Sequence, residues 1–308
     1  MRVIVTGASG FIGRNVLLRA PSDWQIFAVF HRTVGLEAFV ADHGLSHVTP
    51  VRCDLLNPNA VRALAQVVGG HAGAALYLAA NGDPAASVER PRWDLELNTV
   101  ALVNFLEHCP VRHVVYVSSG AVYDGLSGLV SPSTAVAPRL PYAISKLASE
   151  QYVRFFAERR HALDSYINVR FFGAYGPYEP LRKMTTRWMR ALMDGQRRVS
   201  VRGDGENLVD FMYVDDAVDG FLKLTAAAGV SATVDFGCGA PVSVNEVARM
   251  VAGTLGLEIT IVHTGQAEEY IRFRTADAAM RERFGVEPKI PVAEGLARLH
   301  HFLTSEAV

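Results

Sequence analysis

Through the first half of the chain, short β-branched and aromatic runs alternate with longer segments in which apolar residues recur every three to four positions. The runs Arg2–Thr6, Gln25–Phe30, Val48–Arg52, Ala74–Leu78, His113–Val117 and Tyr166–Phe171 predict strands, and Phe11–Ala20, Ala60–Val68, Trp93–His108 and Ala143–Arg160 predict the helices among them. Such an alternation is the pattern of βαβ units and of a parallel sheet buried on both faces, so the expected fold is α/β and doubly wound. After Pro177 the rhythm loosens. Helices predicted near Met184–Asp194, Asp216–Ala227 and Val244–Leu255 are separated by strands near Val199–Arg202, Thr233–Phe236 and Glu258–Val262, and a last helix runs over Val292–Phe302. The division expected is a first domain over residues 1–177 and a smaller α/β lobe over 178–308, with a discontinuous boundary.

Composition narrows the partners. Half of the 308 residues are hydrophobic and 20% are charged, the balance of an ordinary globular protein. Thirty Lys and Arg against 31 Asp and Glu leave no basic field for nucleic acid or an anionic membrane. No apolar run approaches the roughly 20 residues that span a bilayer. Cys53, Cys109 and Cys238 are odd in number and widely spaced, which fits free thiols. The first residues already read as strand and turn rather than as a leader, so the expected location is cytoplasmic. No metal is expected: Gly44 between His43 and His47 argues for a loop, and no third ligand accompanies them.

Chemistry enters at the first turn. Gly7, Gly10 and Gly13 follow a strand and open a helix, so backbone N–H groups there can face a dinucleotide pyrophosphate. At the end of the second strand, His31-Arg32 stands where an acidic residue would receive the ribose hydroxyls of NAD, and the planar fork of Arg32 favours NADP over NAD. Asp54, after the third strand, is placed to accept from the adenine amino group. Tyr142 and Lys146 are four residues apart, on one face of a helix. A free phenol has a pKa near 10, and a neighbouring ammonium favours its phenolate, so the pair can move protons.

These pieces together resemble the extended short-chain dehydrogenase/reductase family, in its nucleotide-sugar epimerase, dehydratase and ketoreductase branch. The resemblance runs over nearly the whole chain: the glycine turn, Leu78-Ala79-Ala80, Asn98, the segment from Val117 to Tyr123, the Tyr142/Lys146 pair, the segment from Arg170 to Pro177, Gly203 to Glu206, Tyr213 to Asp216, and Gly285 to Pro288. It implies a Rossmann-type sheet and a catalytic hydroxyl at Ser119, with Ser118 as the alternative one position earlier. Tyr142 would move the proton, and Lys146 would bridge the nicotinamide ribose. Cofactor contacts are implied at Gly7, Gly10, Phe11, Ile12, Gly13, His31, Arg32, Asp54, Leu55, Ala79, Ala80, Asn98, Ser118, Tyr142, Lys146 and Phe172. Asn98 would also steady the catalytic helix. On the substrate side stand Ser119, Tyr123 as a wall, Tyr142 and Gly173.

Departures from the branch's pattern sharpen the expectation. Dehydratases carry an Asp-Glu pair directly after the catalytic hydroxyl, where Gly120-Ala121 stand here. Gly173 and Val209 replace an Asn and an Arg that help hold substrate, which moves that duty to a cation group comprising Arg182, Lys183, Arg187, Arg202, Arg272 and Arg274. Arg182, Arg202 and Arg274 are the chosen phosphate contacts. The substrate read here is a nucleotide-diphosphate sugar, reduced at carbon 4 by a ketoreductase. The alternatives are a 4-epimerase with retained cofactor, a dehydrogenase of an unactivated sugar acid, and a cofactor-sensing module without catalysis. The resemblance further implies a homodimer through the helices Trp93–His108 and Ala143–Arg160, with Leu95, Leu102, Leu106, Leu147 and Phe155 as candidates for burial.

Overall fold

Seven parallel strands form the central sheet: β1 (Arg2–Thr6), β2 (Gln25–Phe30), β3 (Val48–Arg52), β4 (Ala72–Tyr77), β5 (Val111–Ser119), β6 (Ser165–Phe171) and β7 (Ala232–Phe236). Their order is β7-β6-β5-β4-β1-β2-β3. This computed structural model describes residues 1–265, 271–275 and 277–305. The helices are α1 (Phe11–Arg19), α2 (Leu36–Asp42), α3 (Pro58–Val68), α4 (Pro84–Glu89), α5 (Pro91–Leu95), α6 (Ala101–His108), α7 (Pro141–Glu158), α8 (Met184–Met193), α9 (Val214–Ala226), α10 (Val244–Thr254), α11 (Ala279–Phe284) and α12 (Val292–Ser305).

Alternation along β1 shows why both faces are apolar. Val3 and Val5 join the core that includes α1, α9 and the second lobe, while Ile4 joins the opposite core with Tyr77, Phe105 and Val153. The chain winds outward in both directions from β1, and the resulting switch point puts a crevice at the carboxyl ends of the strands.

Four differences from the predicted elements matter. The strand expected near Thr233–Phe236, beyond the division at residue 177 whose boundary was read as discontinuous, spans Ala232–Phe236, pairs with β6 and completes the main sheet, and α9 before it packs on α1, β4 and β5. Trp93–His108 was expected as one helix. It is helical throughout, but a π-helical turn over Glu96–Val100 separates α5 from α6. The third helix starts two residues early because Asn57 caps it, accepting from the Asn59 and Ala60 amides ahead of Pro58 at the first turn. The helix α2, unforeseen in the sequence, buries Leu36, Phe39 and Val40.

His113 on β5 is fully buried, with Nδ1 2.7 Å from Ser165 Oγ and Nε2 3.0 Å from the Leu224 carbonyl. A carbonyl only accepts, so Nε2 carries the proton and Ser165 donates to Nδ1. Burial pushes the imidazole pKa down, against the opposing pull of these hydrogen bonds. The folded state therefore resists a proton that the unfolded chain accepts below its ordinary value of 6.5. This contribution to stability is present above that value and is lost as pH falls below it. Thermal melts between about pH 7 and about pH 5 should show Tm falling with acid, and His113→Gln should flatten the fall. Parallel curves for the two proteins would count against this assignment.

Candidate active site

A cleft of about 680 Å³ opens at the carboxyl ends of β1, β4, β5 and β6. Its floor is the turn from β1 into α1. Gly7 has φ +66°, and a Cβ on it would lie 2.9 Å from the Ala79 amide nitrogen; a Cβ on Gly13 would lie 2.4 Å from the Gly7 carbonyl oxygen. Only glycine permits this close approach of backbone to backbone. No side chain caps α1, so its first N–H groups remain available to an anion beside Gly7, Gly10, Phe11, Ile12 and Gly13, all of which line the cleft. This cradle fits a dinucleotide pyrophosphate. A second cavity of about 210 Å³ continues from Gly7 past His31, Arg32, Asp54, Leu55, Ala79 and Ala80, the length and lining an adenosine needs. His31 Nε2 stands 3.7 Å from the Asp54 carboxylate, so this end carries both signs of charge beside Arg32.

The Tyr142/Lys146 pair sits on the opposite wall. Pro141 occupies the first turn of α7, and the Tyr142 amide donates to Ser87 Oγ, which fixes the start of the helix against α4. Tyr142, Lys146, Ser118 and Ser119 all line the cleft. The Ser119 hydroxyl, which accepts from the Ala121 amide at 3.1 Å, shares this wall with the Tyr142 phenol and favours its phenolate. Ser118 turns inward instead and donates to Glu150 at 2.6 Å, so Ser119 is the hydroxyl that is free to meet a substrate oxygen beside Tyr142. Lys146 Nζ donates to the Val117 carbonyl at 2.9 Å and lies 5.8 Å from the centre of the Tyr142 ring. Burial pushes this ammonium down to about 8, opposed by the charges of Asp94 and Glu150. The expected depression of the phenol by Lys146 does not occur in this state. Burial raises the Tyr142 pKa, the Ser119 hydroxyl lowers it, and Asp94 raises it.

Several expected contacts fall elsewhere. Tyr123 is no cleft wall: it is fully buried, donates to Asp235 at 2.8 Å and receives Arg170 at 3.0 Å. Asn98 does not reach the cleft. It is buried in the π turn and donates to Asp94 and to Ser145 Oγ, while its oxygen receives the Asn81 amide. Arg202 and Arg274 lie outside the lining. Strand alternation explains Arg274, because Phe273 points into the cleft and its neighbours point away. Arg182 and Lys183, ahead of α8, are the cations of the substrate side, and Phe172, Gly173 and Val209 line it as well. Asn81, Ile271 and Phe273 also line the cleft and were missed, because nothing local in their sequence marks them.

Behind the wall runs a buried polar chain. Arg170 meets Glu150 through Nη2 at 2.9 Å and through Nε at 3.1 Å, and Tyr123, Asp235 and Thr275 continue the chain. It ties Ser118 on β5 to the strand that carries Phe273.

The profile of the NAD dependent epimerase/dehydratase family matches residues 3–236. A UDP-glucose 4-epimerase of Mycolicibacterium smegmatis is 28% identical over 324 residues, covering 100% of both chains. The solved structure of MoeE5 in complex with UDP-glucose and NAD is 29% identical, with a TM-score of 0.87 over 100% of both chains. A UDP-glucose 4-epimerase of Thermotoga maritima, 23% identical with a TM-score of 0.89 over 100% of both chains, shares the fold. With a Rossmann-type sheet, a dinucleotide cradle and a Ser119/Tyr142/Lys146 wall, the chain belongs to the NAD dependent epimerase/dehydratase family of enzymes.

Proposed function

We propose that this chain is a nucleotide-sugar 4-epimerase that works on a UDP-hexose with a retained NAD. The observation that carries this reading is that Ser119 and Tyr142 face a cleft whose only acids among the described residues, Asp124 and Asp210, are both engaged by backbone amides. Elimination of water needs a free acid and base beside the sugar. Gly120 and Ala121, next to Ser119, supply neither, which speaks against a dehydratase. Whole-length likeness to a UDP-glucose 4-epimerase supports the epimerase over the ketoreductase favoured on Arg32 and the missing acidic residue beside it.

In this reading Tyr142 takes the proton of the sugar's 4-hydroxyl while Ser119 holds its oxygen. Bound NAD supplies the hydride acceptor and, afterwards, the hydride donor. The 4-keto sugar turns over in the cleft, Tyr142 returns its proton, and the opposite configuration results. Arg182 and Lys183 hold the diphosphate. NAD replaces the NADP preference read from Arg32, since the Asp54 carboxylate lines the same adenosine end as that cation and MoeE5 was solved with NAD.

Protein as purified, given UDP-glucose and no cofactor, should form the 4-epimer, followed by chromatography. Stoichiometric consumption of NADPH with a 4-keto sugar nucleotide, and no epimer, would instead establish the reductase.

We also propose a homodimer through α7. Ile144, Tyr152 and Phe155 form an exposed apolar stripe on it, with Leu95 exposed on α5. Leu102 and Leu106 belong to the intramolecular core, so their expected place in the interface is withdrawn, and Leu147 packs beside Val122 and Phe273. Light scattering should give twice the chain mass, and Phe155→Glu should halve it. No helix among the described residues is long and apolar enough to cross a membrane. Cytoplasmic location is proposed on the thiols: burial raises Cys53 to about 11 and Cys109 to about 12, which leaves them protonated and inert.

A further inference from the structure

Asp94 is a carboxylate held by neutral donors rather than by an ion-pair partner among the described residues. It is fully buried at the end of α5, and no ion pair reaches it among the described residues. Three neutral groups donate to it: Asn81 Nδ2 at 2.7 Å and Asn98 Nδ2 at 2.9 Å on one oxygen, and Ser145 Oγ at 2.7 Å on the other. Each donor comes from a different segment. Asn81 lines the cleft, Asn98 sits in the π turn, and Ser145 lies on α7 between Tyr142 and Lys146. The π turn widens the helix at Asn98, which allows that side chain to reach back four residues to Asp94 while also touching Ser145. An acceptor-only group with three donors is the ionised form of Asp.

The contrast with Glu150 shows what this charge is for. Glu150, the other buried acid whose charge reaches Lys146, is matched by Arg170 at 2.9 Å. Asp94 has no such match, so its field falls on the nearest titratable groups, Tyr142 and Lys146 of the same wall. The remaining groups around the pair are Tyr116 on β5, whose ring lies 5.2 Å from Lys146 Nζ, and Asp83, whose carbonyl receives Asn81. Tyr116 is neutral and Asp83 caps α4.

We infer that Asp94 is a positioning residue for the proton transfer: its carboxylate, held by Asn81 and Asn98, fixes Ser145 and with it the turn of α7 that carries Tyr142 and Lys146, and sets a negative charge without an ion-pair partner among the described residues behind that turn. The inference rests on the acid–base role proposed for Tyr142. Asp94 raises both pKa values in the folded protein, so its removal moves the window of catalysis toward lower pH.

The test uses Asp94→Asn, which keeps size and an acceptor for Asn81 and Asn98, and Asp94→Ser if the amide does not fold. Tyrosinate absorbance is titrated in the protein without substrate, with the Tyr142→Phe protein subtracted to isolate one phenol. The isolated step should shift down by roughly one pH unit, and the pH profile of kcat should follow it with KM little changed. Asn98→Ala, which removes a donor and leaves the charge, should lower Tm without moving either midpoint. An unshifted step in a folded Asp94 variant overturns the inference and leaves Asp94 a packing group. A shifted step in a protein that does not interconvert UDP-hexoses keeps the inference and removes the proposed substrate instead.

Discussion

Tyr142→Phe should turn over its sugar nucleotide roughly 10²- to 10⁴-fold more slowly than the natural protein, the range that a positioned general acid–base contributes. The ring that lies over Lys146 is retained, so packing and cofactor retention should be unchanged. What is lost is the phenol hydroxyl on the wall that Tyr142 shares with Ser119 in the cleft. Burial raises the phenol, so the oxidation half of the reaction, which needs a proton removed, gains rate as pH rises. The variant should lose that slope together with its rate. kcat is measured beside the absorbance of the bound cofactor, so that a loss of chemistry is separated from a loss of loading. Turnover within a few-fold of the natural protein would reject Tyr142 as the proton carrier.

Glu150→Ala should destabilise the fold by about 3–5 kcal/mol, the cost of stranding a buried charge. Side-chain exposure of Arg170 and Glu150 is 6% and 2%, so solvent cannot reach the guanidinium that would be left behind. Ser118 would lose its acceptor, and Ser119 is its neighbour, so activity should fall by more than the unfolded fraction explains. Replacing both partners, Glu150→Met with Arg170→Met, should recover a large part of the loss, because an apolar pair avoids the stranded charge. Urea unfolding of the three proteins decides it: a single variant as stable as the natural chain would show that the ion pair is dispensable.

The first three strands of the sheet, the glycine turn and the Tyr142/Lys146 spacing were legible in the sequence because each is set by neighbours along the chain. A strand buried on both faces reads as an apolar run, a turn without room for a Cβ reads as glycine, and two groups on one helical face read as four apart. Tyr123, Asn98 and Arg274 were misplaced, although each lies in or beside a motif, because orientation depends on partners remote in sequence. Tyr123 turns inward to Arg170 and Asp235, Asn98 needs a π turn to reach Asp94 and Ser145, and Arg274 points away because Phe273 takes the cleft. The strand Ala232–Phe236 was recognised as a strand, and only its pairing with β6 placed it in the main sheet. Local sequence thus determined which residues carry backbone-borne and helix-face chemistry. Tertiary packing decided which polar side chains meet substrate and which are spent inside, since the cost of leaving a buried charge or donor unpaired is set by what the fold brings beside it.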